Sequence, residues 1–344
     1  MISEQKLIEF EEKGVLQTLN YLGEQFKQGF SFEFFQTDNF KPEKIVWMGM
    51  GGSALAADII SSYFQKELKV PVIVWNTLSY PEFINENDLV VVSSYSGNTQ
   101  ESIDFYYQAM KSQRHIFGLT SGGKLEELFK ENRTPFHKID INLNPSGQPR
   151  MGVGFGMGFL LKILLSFKLI NQLEVEKDID QLEMEDFKTK GLVDFESEEV
   201  IKASEVLKDK VAVILSSPTL TGLAHFFQNQ LNETAKQMAC YYFFPELNHH
   251  LLEGLSGKQQ KSNLGILLVR EDDEKVNKRI DLTKNLLDKL GIKYYEIQLQ
   301  DETRLKRLLR GISLAQHLSL TLSDYYQVDP LGIPQVDWFK ENLS

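Results

Sequence analysis

A chain of 344 residues, 42% hydrophobic and 25% charged, is long enough for two globular domains at about 150 residues each. Its net charge of -11 excludes a general nucleic-acid or anionic-membrane binder, so any anion site must be built locally from backbone N–H groups, hydroxyls and a few placed cations. The single cysteine, Cys240, excludes an intramolecular disulfide and a thiolate metal set, which fits a reducing cytoplasm, and Met1–Lys6 lacks the apolar core of a signal peptide.

In chain order, residues 4–27 place Leu7, Ile8, Phe10, Val15, Leu16, Leu19, Leu22 and Phe26 near helical spacing, which predicts a leading amphipathic helix. A polar and aromatic connector, Gly29–Pro42, follows. Short β-rich runs at Ile45–Met50, Val70–Trp75, Leu89–Ser94 and Ile116–Thr120 then alternate with helix-like segments at Ala54–Gln65, Gln100–Lys111 and Lys124–Glu131. That alternation predicts a parallel sheet with its ligand loops at the carboxyl ends of the strands. Met151–Ile170 is the most apolar stretch, but Gly152, Gly154, Gly156, Gly158, Lys162 and Lys168 make it a buried helix rather than a membrane span.

Residues 171–210 are rich in Glu, Asp and Lys and read as a helical connection. From Val211 the pattern starts again, with strands at Val211–Ser216, Leu264–Val269 and Tyr294–Gln298 and an aromatic run at Cys240–Phe244. Its helices fall at Leu223–Lys236, Glu274–Leu290 and Thr303–Leu322. The expected fold class is therefore α/β, with two domains, each a parallel sheet flanked by helices in a flavodoxin-like three-layer sandwich. Residues 1–170, with the leading helix, form the first, 171–210 the connection, and 211–344 the second with its tail.

Two loops carry the chemistry of the first half. Met48-Gly49-Met50-Gly51-Gly52-Ser53 leaves a strand through glycines and enters a helix, where unpaired N–H groups favour an anion. Ser94-Tyr95-Ser96-Gly97-Asn98-Thr99 does the same with a high density of hydroxyls, although Thr99 and Glu101 are also what an ordinary helix cap would use. Neither loop has nucleotide-binding spacing, which leaves the phosphate of a small metabolite.

These two loops resemble those of the sugar isomerase (SIS) domain. The whole chain is similar to the bifunctional phosphoglucose/phosphomannose isomerases, through Pro145-x-Gly147-x-Pro149-Arg150, Asn232-Glu233-x-Ala235-Lys236 and Pro245-Glu246-Leu247-Asn248-His249. The resemblance implies that Gly52, Ser53, Ser94, Ser96 and Thr99 hold the phosphate of a hexose 6-phosphate. It also implies that Glu233 shuttles the proton, that Arg150 stabilises the enediolate, and that His249 and Lys340 open the sugar ring. It implies no metal or other cofactor, a cytoplasmic homodimer, and a His249 supplied across the subunit interface. On residue type alone, Glu233 would be a surface ion-pair residue, His249 an exposed loop histidine and Lys340 a solvated tail lysine; the apolar flank Val336–Phe339 is expected to dock that tail.

The chain departs from the family at His250-Leu251-Leu252-Glu253, where Asn-Glu and an aliphatic residue are usual, and at Leu331-Gly332-Ile333, which offers no hydroxyl. The second departure leaves mannose 6-phosphate handling open beside glucose 6-phosphate. Another sugar-phosphate isomerase on the same fold and a non-catalytic sugar-phosphate sensor are the alternatives.

Overall fold

The computed structural model describes residues 2–34, 40–112, 115–185, 191–257 and 262–342. Parts of the expected connector (35–39), of the 171–210 stretch (186–190) and of the tail (343–344) lie outside the described residues. The chain forms two compact units. One comprises Gly14–Lys190 with Asp301–Leu309; the other comprises Met1–Lys13, Gly191–Gln300 and Arg310–Ser344.

In the first unit the strands are β1 (Ile45–Met48), β2 (Val72–Trp75), β3 (Leu89–Ser94), β4 (Ile116–Thr120) and β5 (Phe136–Lys138). They form a parallel sheet in the order β2-β1-β3-β4-β5. Side chains alternate across it as a pleated strand requires. Val46, Met48, Val90 and Val92 pack with Phe105, Tyr106 and Ala109 of the helix Gln100–Ser112 and Leu125, Leu128 and Phe129 of the helix Gly123–Glu131. Trp47, on the opposite face, meets Phe159 edge-on at 6.0 Å between ring centroids.

That face is covered by the helix Val153–Ser166, whose residues are almost all buried, packed against Leu22–Phe30 and Gly52–Tyr63. Its glycines explain the apolar composition. A Cβ on Gly158 would stand 2.0 Å from the Phe26 carbonyl oxygen, and one on Gly29 would stand 1.9 Å from that of Phe155, so the two backbones touch directly. Among the described residues no helix is long and apolar enough to cross a membrane.

The strand β5 was not apparent in the sequence, because it is three residues long and only His137 is buried in it. Burial holds His137 down to a pKa of about 4, against an ordinary value of 6.5. The unfolded chain therefore binds the extra proton, and stability falls as pH drops from 6.5 toward 4. The expected loss between pH 7 and pH 5 is roughly 2 kcal/mol, and His137→Phe should flatten that part of a urea-midpoint profile. An unchanged profile would show that this imidazole charges freely in the folded protein.

The expected single leading helix is interrupted. Glu4–Glu12 ends before Gly14, which takes a φ of 70°, and Val15–Asn20 and Leu22–Phe30 follow as separate turns. The first helix belongs to the second unit, where the Ser3 N–H and hydroxyl donate to the Asp324 carboxylate at 2.8 and 3.1 Å.

That second unit holds β6 (Val211–Ser216), β7 (Ala239–Phe243), β8 (Leu264–Arg270) and β9 (Tyr294–Gln298), parallel in the order β7-β6-β8-β9. Its first four positions repeat the 2-1-3-4 order of the first sheet. The helix Glu198–Leu207 packs on β8 and β9 through Val200, Ala203 and Leu207.

The long helix Arg304–Tyr325 begins in the first unit and continues in the second. At its start, the Arg304 guanidinium pairs with Glu67 and, at 3.4 Å, with Asp178, while its carbonyl accepts from the Tyr63 hydroxyl at 2.9 Å. Burial raises the Asp178 carboxyl above its ordinary range, with the Arg304 charge opposing that rise.

Candidate active site

In the first unit the two hydroxyl-bearing loops leave β1 and β3, which are neighbours in the sheet, so both arrive at the switch point where strand order reverses. The helix after β1 starts at Gly52, and Ser53 lies in its first turn. The Ser53 hydroxyl oxygen accepts from the Tyr95 N–H at 3.0 Å and ties the loops together.

Within the second loop, the Ser94 hydroxyl donates to Thr99 Oγ1 at 3.0 Å and accepts from the Gly97 N–H at 3.1 Å, while Ser96 Oγ accepts from the Asn98 N–H at 3.2 Å. Ser94 is buried, Ser53 and Thr99 are half-buried and Ser96 is exposed. Gly97 has a φ of 69°, and a Cβ there would stand 1.8 Å from the Gly122 carbonyl oxygen; this fixes the turn against the loop after β4.

Arg150 belongs to the same unit. It sits in the 3-10 turn Pro149–Met151, buried at 2% exposure, with its backbone N 3.1 Å from where a Gly52 Cβ would be. The Arg150 segment is thus laid against the loop after β1.

Three residues missed from the sequence hold it there. Arg150 Nη1 donates to Gln148 Oε1 at 2.7 Å. The Asn144 amide nitrogen donates both to the Gln148 carbonyl at 2.9 Å and to the Tyr95 hydroxyl at 2.8 Å. The Asn144 amide oxygen accepts from the Ser146 hydroxyl at 2.7 Å. Burial raises the Tyr95 phenol above its ordinary value, with the Asn144 bond opposing the rise. The only sequence signal was the placing of Ser146 and Gln148 between Pro145 and Pro149, with Asn144 just before them, which reads as an ordinary turn.

Glu233, His249 and Lys340 lie in the second unit. Glu233 ends the helix Thr221–Glu233, half-buried, with Oε1 accepting from the Asn229 side chain at 2.5 Å. This helix runs back from β6 to the amino end of β7, where Asn232 Oδ1 accepts from the Ala239 N–H at 3.0 Å. The Lys236 ammonium donates to the Glu233 carbonyl and to the Gly332 carbonyl, tethering the start of the tail to the same edge.

The tail forms the helix Pro334–Glu341, and Lys340 is exposed in its last turn. The expected docking of its apolar flank does not occur within the chain. Val336, Trp338 and Phe339 are 40%, 62% and 56% exposed, because no residue of this helix is buried.

His249 lies beyond the carboxyl end of β7. It ends the 3-10 turn Glu246–His249 after β7, exposed, on a segment anchored by buried Leu247 and by Asn248 donating to Thr283 Oγ1 at 3.2 Å. The adjacent His250 pairs with Glu246 at 2.9 Å. Among the described residues no group of three or more His, Cys, Asp or Glu is placed to hold a metal, so the adjacent histidines are not part of such a set. Glu233 and His249 thus fall toward opposite ends of the five-residue strand β7.

Two parallel sheets, the first with paired hydroxyl loops at its switch point, give the fold of the SIS proteins. A Clostridium difficile 630 protein of 16% identity superposes with a TM-score of 0.72, covering 96% of both chains. The C-terminal domain of glucosamine-fructose-6-phosphate aminotransferase from Francisella tularensis superposes at 0.65, with 14% identity, covering 90% of this chain and 87% of that one. Likenesses this distant establish the fold alone.

Sequence comparison gives a more particular likeness. Residues 196–343 match the bacterial phospho-glucose isomerase C-terminal SIS domain. Over nearly its full length the chain is similar to the bifunctional phosphoglucose/phosphomannose isomerases, as its motifs implied. It is 28% identical over 333 residues to that of Caldicellulosiruptor bescii, covering 94% of this chain and 97% of that protein. It is 29% identical over 328 residues to that of Aquifex aeolicus, covering 93% and 97%. A D-glucosamine-6-phosphate 4-epimerase of Sulfolobus acidocaldarius is 27% identical over 234 residues, covering 66% of this chain and 68% of that protein.

Proposed function

We propose that this protein is an isomerase that interconverts glucose 6-phosphate, and mannose 6-phosphate as a second aldose, with fructose 6-phosphate by a metal-free cis-enediol route. The observation that carries this reading is Glu233. It is a half-buried carboxylate held by Asn229 at a helix end, on the motif where the resembled family has its base, in a chain whose full-length relatives are named as isomerases.

Gly52, Ser53, Ser94, Ser96 and Thr99 anchor the phosphate. Ser94, being buried, acts by holding Thr99 and the Gly97 N–H in place. His249 protonates the ring oxygen, with Lys340 beside it, as the anomeric hydroxyl gives up its proton to solvent water and the C1–O5 bond breaks to open the ring. Glu233 then takes the proton from C2, the C1 carbonyl becomes the enediolate oxygen facing the Arg150 guanidinium, and Glu233 returns the proton to C1 while a hydroxyl proton passes between O1 and O2. The two oxidation levels exchange between C1 and C2, and no electrons leave the sugar.

The placing of Glu233 and His249 toward opposite ends of β7 supports a homodimer in which each site takes His249 from the partner. A coupled assay with each hexose 6-phosphate decides the substrate. The epimerase relative favours a second reading, a different sugar-phosphate conversion on the same loops. NMR of the products separates it, because an epimerase inverts one carbon and leaves the carbonyl where it was.

Ser53→Ala should raise KM several-fold while leaving kcat within about twofold, since its hydroxyl binds and does not react. Part of that rise comes from Tyr95, whose N–H loses its acceptor. A pure kcat defect would remove Ser53 from the phosphate anchor.

A further inference from the structure

Arg150 is placed by a chain of hydrogen bonds that starts in the hydroxyl loop. Tyr95 follows Ser94 and has its N–H on Ser53 and its carbonyl on the Ser121 hydroxyl at 2.7 Å, so its ring leaves the loop from a fixed point. Its hydroxyl receives one hydrogen of the Asn144 amide and the Gln148 carbonyl receives the other, so both donors of that side chain are used.

Asn144 is 2% exposed, and its remaining acceptor is taken by Ser146, whose own N–H donates to Thr18 Oγ1 at 3.0 Å. Gln148, fixed through its main chain, turns its side-chain oxygen to Arg150 Nη1. A buried amide with every polar atom paired has one orientation available, and losing one arm leaves a buried partner unsatisfied. The network is therefore stiff, and it runs from the loop that would hold phosphate to the cation that would meet the enediolate.

We propose that Asn144 and Gln148 are positioning residues. They hold the Arg150 guanidinium in register with the phosphate loop, so that the same loop that grips the 6-phosphate sets the height of the cation over C1 and C2. This rests on the isomerase reading of Arg150. Neither residue touches the reacting carbons in this scheme; each acts on catalysis through Arg150. A displacement of about 1 Å in a group that stabilises charge costs roughly 10- to 100-fold in rate, which sets the size of the effect to look for.

The experiment is a double-mutant cycle in the full-length protein, read as kcat and KM with glucose 6-phosphate and fructose 6-phosphate. Asn144→Ala and Gln148→Leu should each lower kcat at least tenfold with KM within about threefold. Gln148→Glu, which keeps an oxygen for the guanidinium, should recover most of the rate. In an Arg150→Ala background both substitutions should lose most of their effect on kcat, because their target is gone.

Additive losses, or a Gln148→Glu as slow as Gln148→Leu, would overturn the proposal and reduce the network to scaffolding. If Asn144→Ala fails to fold, Tyr95→Phe cuts the same chain at its first link by removing only the acceptor oxygen; full activity there would likewise overturn it. A normal kcat in Arg150→Ala alone would instead remove Arg150 from the mechanism, so failure of that reading is distinguishable from failure of the positioning role.

Discussion

Glu233→Gln is expected to lower kcat by roughly 10²- to 10⁴-fold in both directions, with the dissociation constant for fructose 6-phosphate held within about threefold. The substitution preserves shape and leaves an amide oxygen able to accept from Asn229, which sits at 2.5 Å from Glu233 Oε1, so the helix end should survive it. In the proposed mechanism, what is lost is the carboxylate lone pair that takes the C2 proton. Incorporation of deuterium from solvent at C2, followed by NMR, gives an independent reading and should stop together with turnover. Undiminished exchange would assign the base to another residue. Loss of binding in proportion to turnover would make Glu233 a ground-state contact.

The second large effect is on stability. Gly158→Ala should destabilise the first unit by at least about 3 kcal/mol, because the new methyl has nowhere to go. Its position is 2.0 Å from the Phe26 carbonyl oxygen and 2.7 Å from the Phe30 N, and both are backbone atoms of the facing helix that cannot rotate aside. Relief requires Leu22–Phe30 and Val153–Ser166 to separate, which would strip contacts along their whole length. Gly254→Ala is the matched control: nothing lies within 4 Å of its Cβ position, and the melting temperature should stay within a degree or two. Equal melting temperatures for the two variants would mean that the helices are not in backbone contact.

What could be read in advance followed from local pattern. β1, β3, β4, β6 and β8 are short apolar runs bounded by turn residues, and the loops after β1 and β3 stood out through their density of glycines and hydroxyls between a strand and a helix. Gly152, Gly154, Gly156 and Gly158 were enough to reject a membrane span, though not to name the helix they face, since that depends on a partner more than a hundred residues earlier. β5 fell below what periodicity can resolve.

Asn144 looked like any turn residue, because its value lies in Tyr95 and Gln148 converging on it in space. Glu233, His249 and Lys340 were carried by motif resemblance alone; residue type would have placed each of them on the surface, and His249 and Lys340 are indeed exposed in the single chain. The exposed Trp338 and Phe339 show the same limit: an apolar stripe predicts that something covers it, without saying that the cover comes from its own chain.

The helix Arg304–Tyr325 sets a rule for anyone cutting the gene. A fragment ending near Lys190 looks like a complete N-terminal domain in the linear sequence, yet it lacks Asp301–Leu309, which belongs to that unit. Without Arg304, Glu67 and buried Asp178 lose their counter-charge, and Tyr63 loses the carbonyl its hydroxyl binds. The shortest version of the first unit that keeps these contacts is thus discontinuous in the reading frame.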